Sequence, residues 1–419
     1  MLRNRIVNHH YLTLTKLLSR TVIFISMATI LGCSNPPDSD KDSEPNKISE
    51  GIGPAVAWSQ LKLWNQDRQS HTWPALLQSC KTLARRKKVW KNLCIEAKKL
   101  IKPSDQQARV FFQRYFTPHK LFNSKGTQTG IVTGYFVPTL LGSNIRDQVY
   151  KHAIYARPRS MINVSLRSLY PDKLTGMRLR GRVKGNKLIP FYSRKQIDSK
   201  PYPLKGYEIL YVKDPIALFF MHIQGSGYIK TPDGKVITVG YADQNGHPYV
   251  PIGRVLVKTG AVPLQKISLQ SIRQWMIDNP AKQQKLMNHN PSYIFFHVIP
   301  APLGSLGVPL TDGRSIAIDR RKIPLGLPVW IETSYPDIKT SSTTLQKIMT
   351  SSHSKLNRLF MAQDTGGAIN GAVRADVFWG QGNDAKLLAG HMNQKGIMYV
   401  LLPKDKPTNT LNSESQEKP

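Results

Sequence analysis

The chain has 419 residues, 40% hydrophobic and 20% charged, which is globular composition with enough apolar material for a core and excludes a low-complexity polymer. Lysine and arginine number 59 against 26 aspartate and glutamate, a formal charge of +33, which points to a polyanionic neighbour: nucleic acid, anionic lipid or an acidic wall polymer. No nucleic-acid module signature accompanies that charge, so nucleic acid is not expected as a partner.

Taken in order, the chain opens with Arg3, Arg5, Lys16 and Arg20 ahead of an apolar run, Val22 to Leu31, too short to span a bilayer as a mature helix. The run ends in Ile30-Leu31-Gly32-Cys33, which resembles a bacterial lipoprotein box. Residues 1–33 therefore read as a lipoprotein signal peptide with Cys33 lipidated; a short buried helix with a chance cysteine is the alternative. Ser34, where an Asp does not stand, resembles an outer-membrane sorting choice, so the expected location is the periplasmic face of the outer membrane. Residues 34–56 read as a flexible tether, polar and proline-bearing from Ser34 to Glu50.

From Gly51 to Phe122 the pattern reads as helical. Trp90, Leu93, Cys94, Ala97 and Ile101 recur at three- and four-residue spacing, and Ser104 with Gln107 resembles a capping box for the next helix. Once Cys33 is lipidated, Cys80 and Cys94 are the cysteines that remain, and an oxidising destination would pair them; two buried free thiols is the other reading. Between Gly126 and Gly240 short apolar or alternating runs alternate with turn residues: Gly130–Pro138, Ala153–Ala156, Lys187–Phe191, Tyr207–Val212, Ile216–His222 and Val236–Tyr241. Such spacing predicts an antiparallel β barrel or sandwich. Gln224-Gly225-Ser226-Gly227 lacks a following Gly-Lys pair and is no phosphate loop. Pro251–Met287 returns to helix, with Ser268 as a cap, and Tyr293–Val298 is a strand candidate.

The stretch Met361–Gly380 holds Asp364, followed by Thr365-Gly366-Gly367, and Asp376 in a strand-like run Val373–Phe378. Alternation places Arg374, Asp376 and Phe378 on one face: a cation, a carboxylate and an aromatic plate suited to a sugar. The alternative is an Asp paired with Arg374 on a solvated face. A third aspartate, Asp319, ends the alternating run Ser315–Ile318. The eleven histidines form no HExxH-type cluster, and no metal or other cofactor is expected.

The order Asp319, Asp364-Thr-Gly-Gly-Ala-Ile, Gly371, Asp376-Val-Phe-Trp-Gly resembles the three-aspartate domain family of wall-degrading enzymes, and more closely the membrane-bound lytic murein transglycosylase A family. Thr133-Gly134-Tyr135-Phe136, Gln224–Tyr228, Tyr241–His247 and Asn290-Pro291-Ser292-Tyr293 match in family order across roughly residues 130–400. The resemblance implies a mainly β protein with N-terminal helices: a double-psi β barrel plus an inserted second β barrel, with a groove between them. It assigns residues 57–137 and 303–403 to the helical region and three-aspartate barrel, 138–302 to the insert and 404–419 to a frayed tail. It implies cleavage of the β-1,4 bond between N-acetylmuramic acid and N-acetylglucosamine with formation of 1,6-anhydro ends. Asp376 would be the catalytic acid/base, with Asp364 and Asp319 as supporting carboxylates. Thr133, Tyr135, Gln224, Ser226, Tyr241, Asn245, His247, Arg374 and Phe378 are the substrate-binding candidates. The implied partners are peptidoglycan strands and the membrane through Cys33, with room for a wall-synthesis or wall-remodelling complex. A hydrolytic muramidase using Asp364 and Asp376 as a pair, and a non-catalytic wall-binding module on the same barrel type, are the competing readings.

Overall fold

The structure, a computed structural model, describes residues 49–407 apart from 87, 167, 172, 175–178 and 341–346, and all of them fall in one compact unit. The expected signal peptide with Cys33, the expected tether as far as residue 48 and the tail from 408 lie outside the described residues.

The first segment carries strand β1 (Gly51–Ala55), helices α1 (Trp73–Leu83), α2 (Lys88–Lys99) and α3 (Asp105–Tyr115), and strands β2 (Phe116–Phe122) and β3 (Thr129–Val137). Two expectations are corrected here. Residues 51–55 are not tether: β1 pairs with β2, Gly51 opposite Phe122 and Ile52 opposite Leu121. A side chain at Gly53 would stand 2.4 Å from the Phe122 ring, so the strand docks because this residue has none. The helical pattern also stops earlier than read. Pro118 disfavours helix at the residue before it, and Phe116–Phe122 becomes a strand paired with the chain's last one. The capping box at Ser104 and Gln107 is present, and a disulfide joins Cys80 on α1 to Cys94 on α2.

The middle of the chain holds β4 (Thr139–Ser143), β5 (His152–Tyr155), β6 (Ile162–Val164), β7 (Leu179–Lys184), β8 (Lys187–Pro190), α4 (Arg194–Ile197) and β9 (Glu208–Val212). It continues with α5 (Pro215–Gln224), β10 (Ser226–Lys230), β11 (Val236–Gln244), α6 (Ile252–Lys258), α7 (Leu269–Asp278), α8 (Pro280–Met287) and β12 (Ile294–Val298). Ile216–His222 was expected among the strands and is the body of α5. Its start and stop signals lie just outside the apolar run: Asp214 accepts from the amides of Ile216 and Ala217, Pro215 is the first helical residue, and Gly225 ends the helix at φ 81°. Strands β12-β11-β10-β4-β9-β5 form a six-stranded sheet whose end strands come back against each other, and β6-β7-β8 form a separate three-stranded sheet.

The last segment comprises β13 (Ser315–Ile318), β14 (Pro328–Thr340), β15 (Lys347–Asp364), β16 (Arg374–Gln381), α9 (Gly382–His391) and β17 (Asn393–Pro403). With β1–β3 these strands make one sheet, ordered β1-β2-β17-β14-β15-β13-β16-β3, and an extra pairing of β17 with β3 closes its last six strands on themselves. Two neighbours in this closure are parallel, β13 with β15 and β16 with β3. Trp64, Trp73, Phe112, Trp330 and Phe360 sit in the core shared by this barrel and the N-terminal helices. A buried bidentate pair, Arg314 Nη1 to Asp67 Oδ2 at 2.8 Å and Nη2 to Oδ1 at 2.9 Å, ties the turns before α1 to the start of β13. Removing one partner would strand a buried charge, which costs far more than an exposed pair contributes.

Candidate active site

Four adjacent strands bring the carboxylates together through register alone. Ala317 on β13 stands opposite both Asp364 on β15 and Asp376 on β16, and Asp376 stands opposite Thr133 on β3. The result is a row across the barrel wall, Thr133–Asp376–Ala317–Asp364, drawn from three distant parts of the sequence. The residue between the two aspartates, Ala317, carries only a methyl.

Asp376 receives a hydrogen bond on Oδ1 from the Thr133 hydroxyl at 2.7 Å. Among the described residues no other side chain donates to it. Arg374 Nη2 donates to the same Thr133 oxygen at 2.9 Å, so the hydroxyl stands between guanidinium and carboxylate. The direct Asp–Arg pair weighed from the sequence is not formed among the described residues. Burial is the largest influence on Asp376 and raises its pKa above the ordinary carboxylate value; the Arg374 charge and the Thr133 bond oppose it, and the Asp364 charge adds to it.

Asp364 is held differently. Its Oδ1 accepts from the Ser305 amide and hydroxyl, both at 2.9 Å, and from the Thr365 amide at 2.8 Å. Its Oδ2 accepts from the Tyr135 phenol at 2.9 Å. Four donors favour the carboxylate, yet burial outweighs them and its pKa also lies above the ordinary value. Tyr135 packs its ring 5.2 Å from that of Phe378, and burial together with the Asp364 charge pushes its phenol well above the usual range. Ile369 and Ala317 complete this apolar floor, with Tyr228 of β10 and Leu310 against its edge.

Among the described residues, Asp319 shares no hydrogen bond with that row. It accepts from Arg321 Nε at 2.8 Å and Nη2 at 2.7 Å and from the Gly371 amide at 3.0 Å, fastening the loop that joins β15 to β16. The Arg321 guanidinium and the Gly371 amide hold its carboxyl below the usual value against burial.

The other candidates divide. Thr133, Tyr135, Arg374 and Phe378 belong to the row or its floor. Gln224 turns its Oε1 to the Phe136 amide at 3.0 Å, holding the end of β3, and Ser226 starts β10. Tyr241 is 38% exposed on β11. Asn245 and His247 are committed elsewhere. The Asn245 amide donates to the carbonyls of Tyr192 and Pro291 at 2.9 Å and accepts from the Tyr293 amide, and His247 Nε2 lies 2.7 Å from the Phe191 carbonyl. Both are polar residues of a loop whose backbone needs internal partners, and that need explains their side chains without a ligand. Ser305 carries no signal in the sequence, whereas Thr365, Tyr228 and Tyr249 lie in or beside the motifs and the polar loop without being singled out as site residues. Tyr249 feels the Asp376 charge, which with burial raises its phenol. Ser305 lies 59 residues from the carboxylate it binds, and no local signal links the two. Among the described residues no group of three or more His, Cys, Asp or Glu side chains is arranged to hold a metal ion.

Comparison with known proteins fits this geometry. Residues 131–297 match the model of the MltA specific insert domain, and residues 314–402 that of the 3D domain. The chain is 31% identical over 283 residues to the membrane-bound lytic murein transglycosylase A of Vibrio cholerae, covering 66% of this chain and 67% of that protein. Among solved structures, MltA from Neisseria gonorrhoeae is 35% identical with a TM-score of 0.69, covering 87% of this chain and 98% of that one. A membrane-bound lytic murein transglycosylase from Agrobacterium tumefaciens is 31% identical with a TM-score of 0.72, covering 84% and 98%.

Proposed function

This chain belongs to the MltA family of lytic murein transglycosylases, and from that premise we propose that it cleaves peptidoglycan glycan strands without water, using Asp376 as both acid and base. The observation that carries the assignment is the contrast between two carboxylates in one row: Asp376 with a raised pKa and a single donor, Asp364 with both oxygens already held.

Protonated Asp376 gives its proton to the bridging oxygen as the bond from muramyl C1 to that oxygen breaks, and the N-acetylglucosamine end leaves as an alcohol. Positive charge develops at C1 and the ring oxygen, where the nearby Asp364 carboxylate stabilises it. Asp376, now ionised, takes the proton of the muramyl 6-hydroxyl while that oxygen bonds to C1. The product is a 1,6-anhydro sugar, and Asp376 ends as it began. One acid/base suffices because the nucleophile belongs to the same sugar, and intramolecular attack reaches effective molarities on the order of 10⁵ M or more. A hydrolase would need its second carboxylate to activate water. Ser305, Thr365 and Tyr135 occupy Asp364, which disfavours that role.

In this reading the closed strands β3 and β13–β17 are a double-psi barrel. Residues 138–302 are an inserted domain, and the glycan lies in the groove between them, passing Tyr228 and Tyr249. Lipidation of Cys33 anchors the enzyme on the periplasmic face of the outer membrane, a location supported by the Cys80–Cys94 disulfide, since such bonds persist in oxidising compartments.

The test is the mass of the products. Purified peptidoglycan incubated with the enzyme is expected to release muropeptides lacking one water relative to hydrolytic products and resistant to borohydride. Reducing-end muropeptides as the major species would overturn the proposal.

A further inference from the structure

The small sheet β6-β7-β8 wears its faces the wrong way round. Directly opposed residues of an antiparallel pair share a face. Ile162 and Pro190 oppose Gly181, Val164 opposes Leu179, and Leu188 opposes Val183, so one face is wholly apolar. The other carries Asn163, Arg180, Arg182, Lys184 and Lys187, with Ile189 opposite Arg182 as its one apolar member. A sheet covering a domain ordinarily turns its apolar face inward. Here the polar face does the docking: Arg180 Nη2 meets Asp243 Oδ1 at 2.9 Å, and the Arg182 guanidinium lies 4.0 Å from the centre of the Tyr192 ring. The apolar face is left outside, with Ile162 39%, Val183 62% and Leu188 52% exposed. Leu166, Leu169 and Tyr170, which follow β6 in the chain, are exposed as well, Leu169 to 69%. None of these six side chains belongs to a core cluster.

The charge around this face selects its occupant. Of the described lysines and arginines from Arg157 to Lys187, Arg157 and Arg180 pair with Asp243 and Arg182 lies over Tyr192, which leaves Arg159, Lys173, Lys184 and Lys187 exposed. A second copy of the chain would bring the same cations against each other across a two-fold interface. A carbohydrate or nucleic-acid chain would leave the aliphatic side chains without a role. An anionic bilayer answers both features, because its phosphates neutralise the cations and its acyl boundary takes the apolar side chains. We propose that the β6–β8 face docks on an anionic phospholipid surface, with Val183 and Leu188 entering the headgroup–acyl boundary and the exposed Lys184 and Lys187, which flank the β7–β8 turn at the rim of that face, reaching the phosphates. This contact is separate from any lipid on Cys33 and would hold the enzyme at a fixed attitude to the membrane.

The compact unit starts at residue 47, so protein lacking residues 1–33 keeps every contact described and removes the covalent anchor from the test. That protein is mixed with vesicles of phosphatidylethanolamine and phosphatidylglycerol, or of phosphatidylcholine alone, and floated on a density gradient. The parent is expected to float with the anionic vesicles and stay behind with the neutral ones. The double variant Val183→Ser, Leu188→Ser is expected to lose roughly tenfold or more in partitioning, because two exposed aliphatic side chains no longer enter the bilayer. Its melting temperature and its activity on peptidoglycan should match the parent's, since neither side chain belongs to a core cluster or to the carboxylate row. Failure of the parent to float, or equal flotation of parent and variant, would overturn the proposal. So would a parental dimer in sedimentation velocity that the variant dissociates, which would assign the face to a second copy.

Discussion

Asp376→Asn separates the chemistry from the scaffold and carries two signed expectations. Asparagine keeps the shape and its Oδ1 can still accept the Thr133 hydroxyl that Asp376 accepts at 2.7 Å. It cannot donate a proton as an acid or accept one as a base. General acid or base catalysis contributes on the order of 10²–10⁴-fold per step, and the proposed cycle uses this residue for both, so turnover should fall by at least ~10³-fold. Stability should move the other way. Burial raises the folded-state pKa of Asp376 above its unfolded value, so the folded protein binds this proton more tightly. A raised carboxyl contributes stability below its unfolded pKa and loses it as pH rises towards the folded pKa. Near neutrality the ionised group is therefore a burden, and a neutral amide of the same shape removes it. The variant should melt at or above the parental temperature at pH 7, and its advantage should vanish in acid. Release of anhydro-muropeptides, read by mass spectrometry, and thermal melting at two pH values check both expectations. A variant retaining parental turnover would refute the catalytic role. One that melts lower at pH 7 than the parent would refute the argument from burial.

Three further outcomes follow from the same contacts. Activity should decline as pH rises through the raised pKa of Asp376, and Asp364→Asn should move that decline to lower pH, because the neighbouring negative charge that raises Asp376 is gone; a pH–rate profile that stays in place would contradict the coupling. Arg314→Met should destabilise the fold by about 3–5 kcal/mol in denaturant titration, since it leaves Asp67 buried without its bidentate partner. Reducing the Cys80–Cys94 bridge should lower stability by roughly 2–4 kcal/mol with activity retained at low temperature, as the bond closes a loop within α1–α2 and touches nothing in the carboxylate row.

What could be read from the sequence was what is local. The period-two run of β16, the Ser104 capping box and the Ser268 cap each depend on residues a few positions apart, and each is present. The α5 segment reads as a strand because its apolar residues fill every side of a buried helix, leaving no period to detect; Phe219, Met221 and Ile216 are all buried. Asn245 and His247 looked like ligands for a sugar because polarity on a loop does not say whether its partner is a ligand or a backbone carbonyl. The carboxylate row was legible only as a set of aspartates in order. What places Asp376 beside Asp364 is the register of β13 between β15 and β16, which no spacing along the chain encodes. That register also explains a residue the sequence offered no reason to notice. Ala317 is the middle of the row, 4% exposed and packed with Tyr135, Ile369 and Phe378, so a larger side chain there would press on the floor that holds the carboxylates. The raised pKa of Asp376 is thus a property of the assembled wall, from burial and a neighbour two strands away, and it exists only once three separate segments have paired.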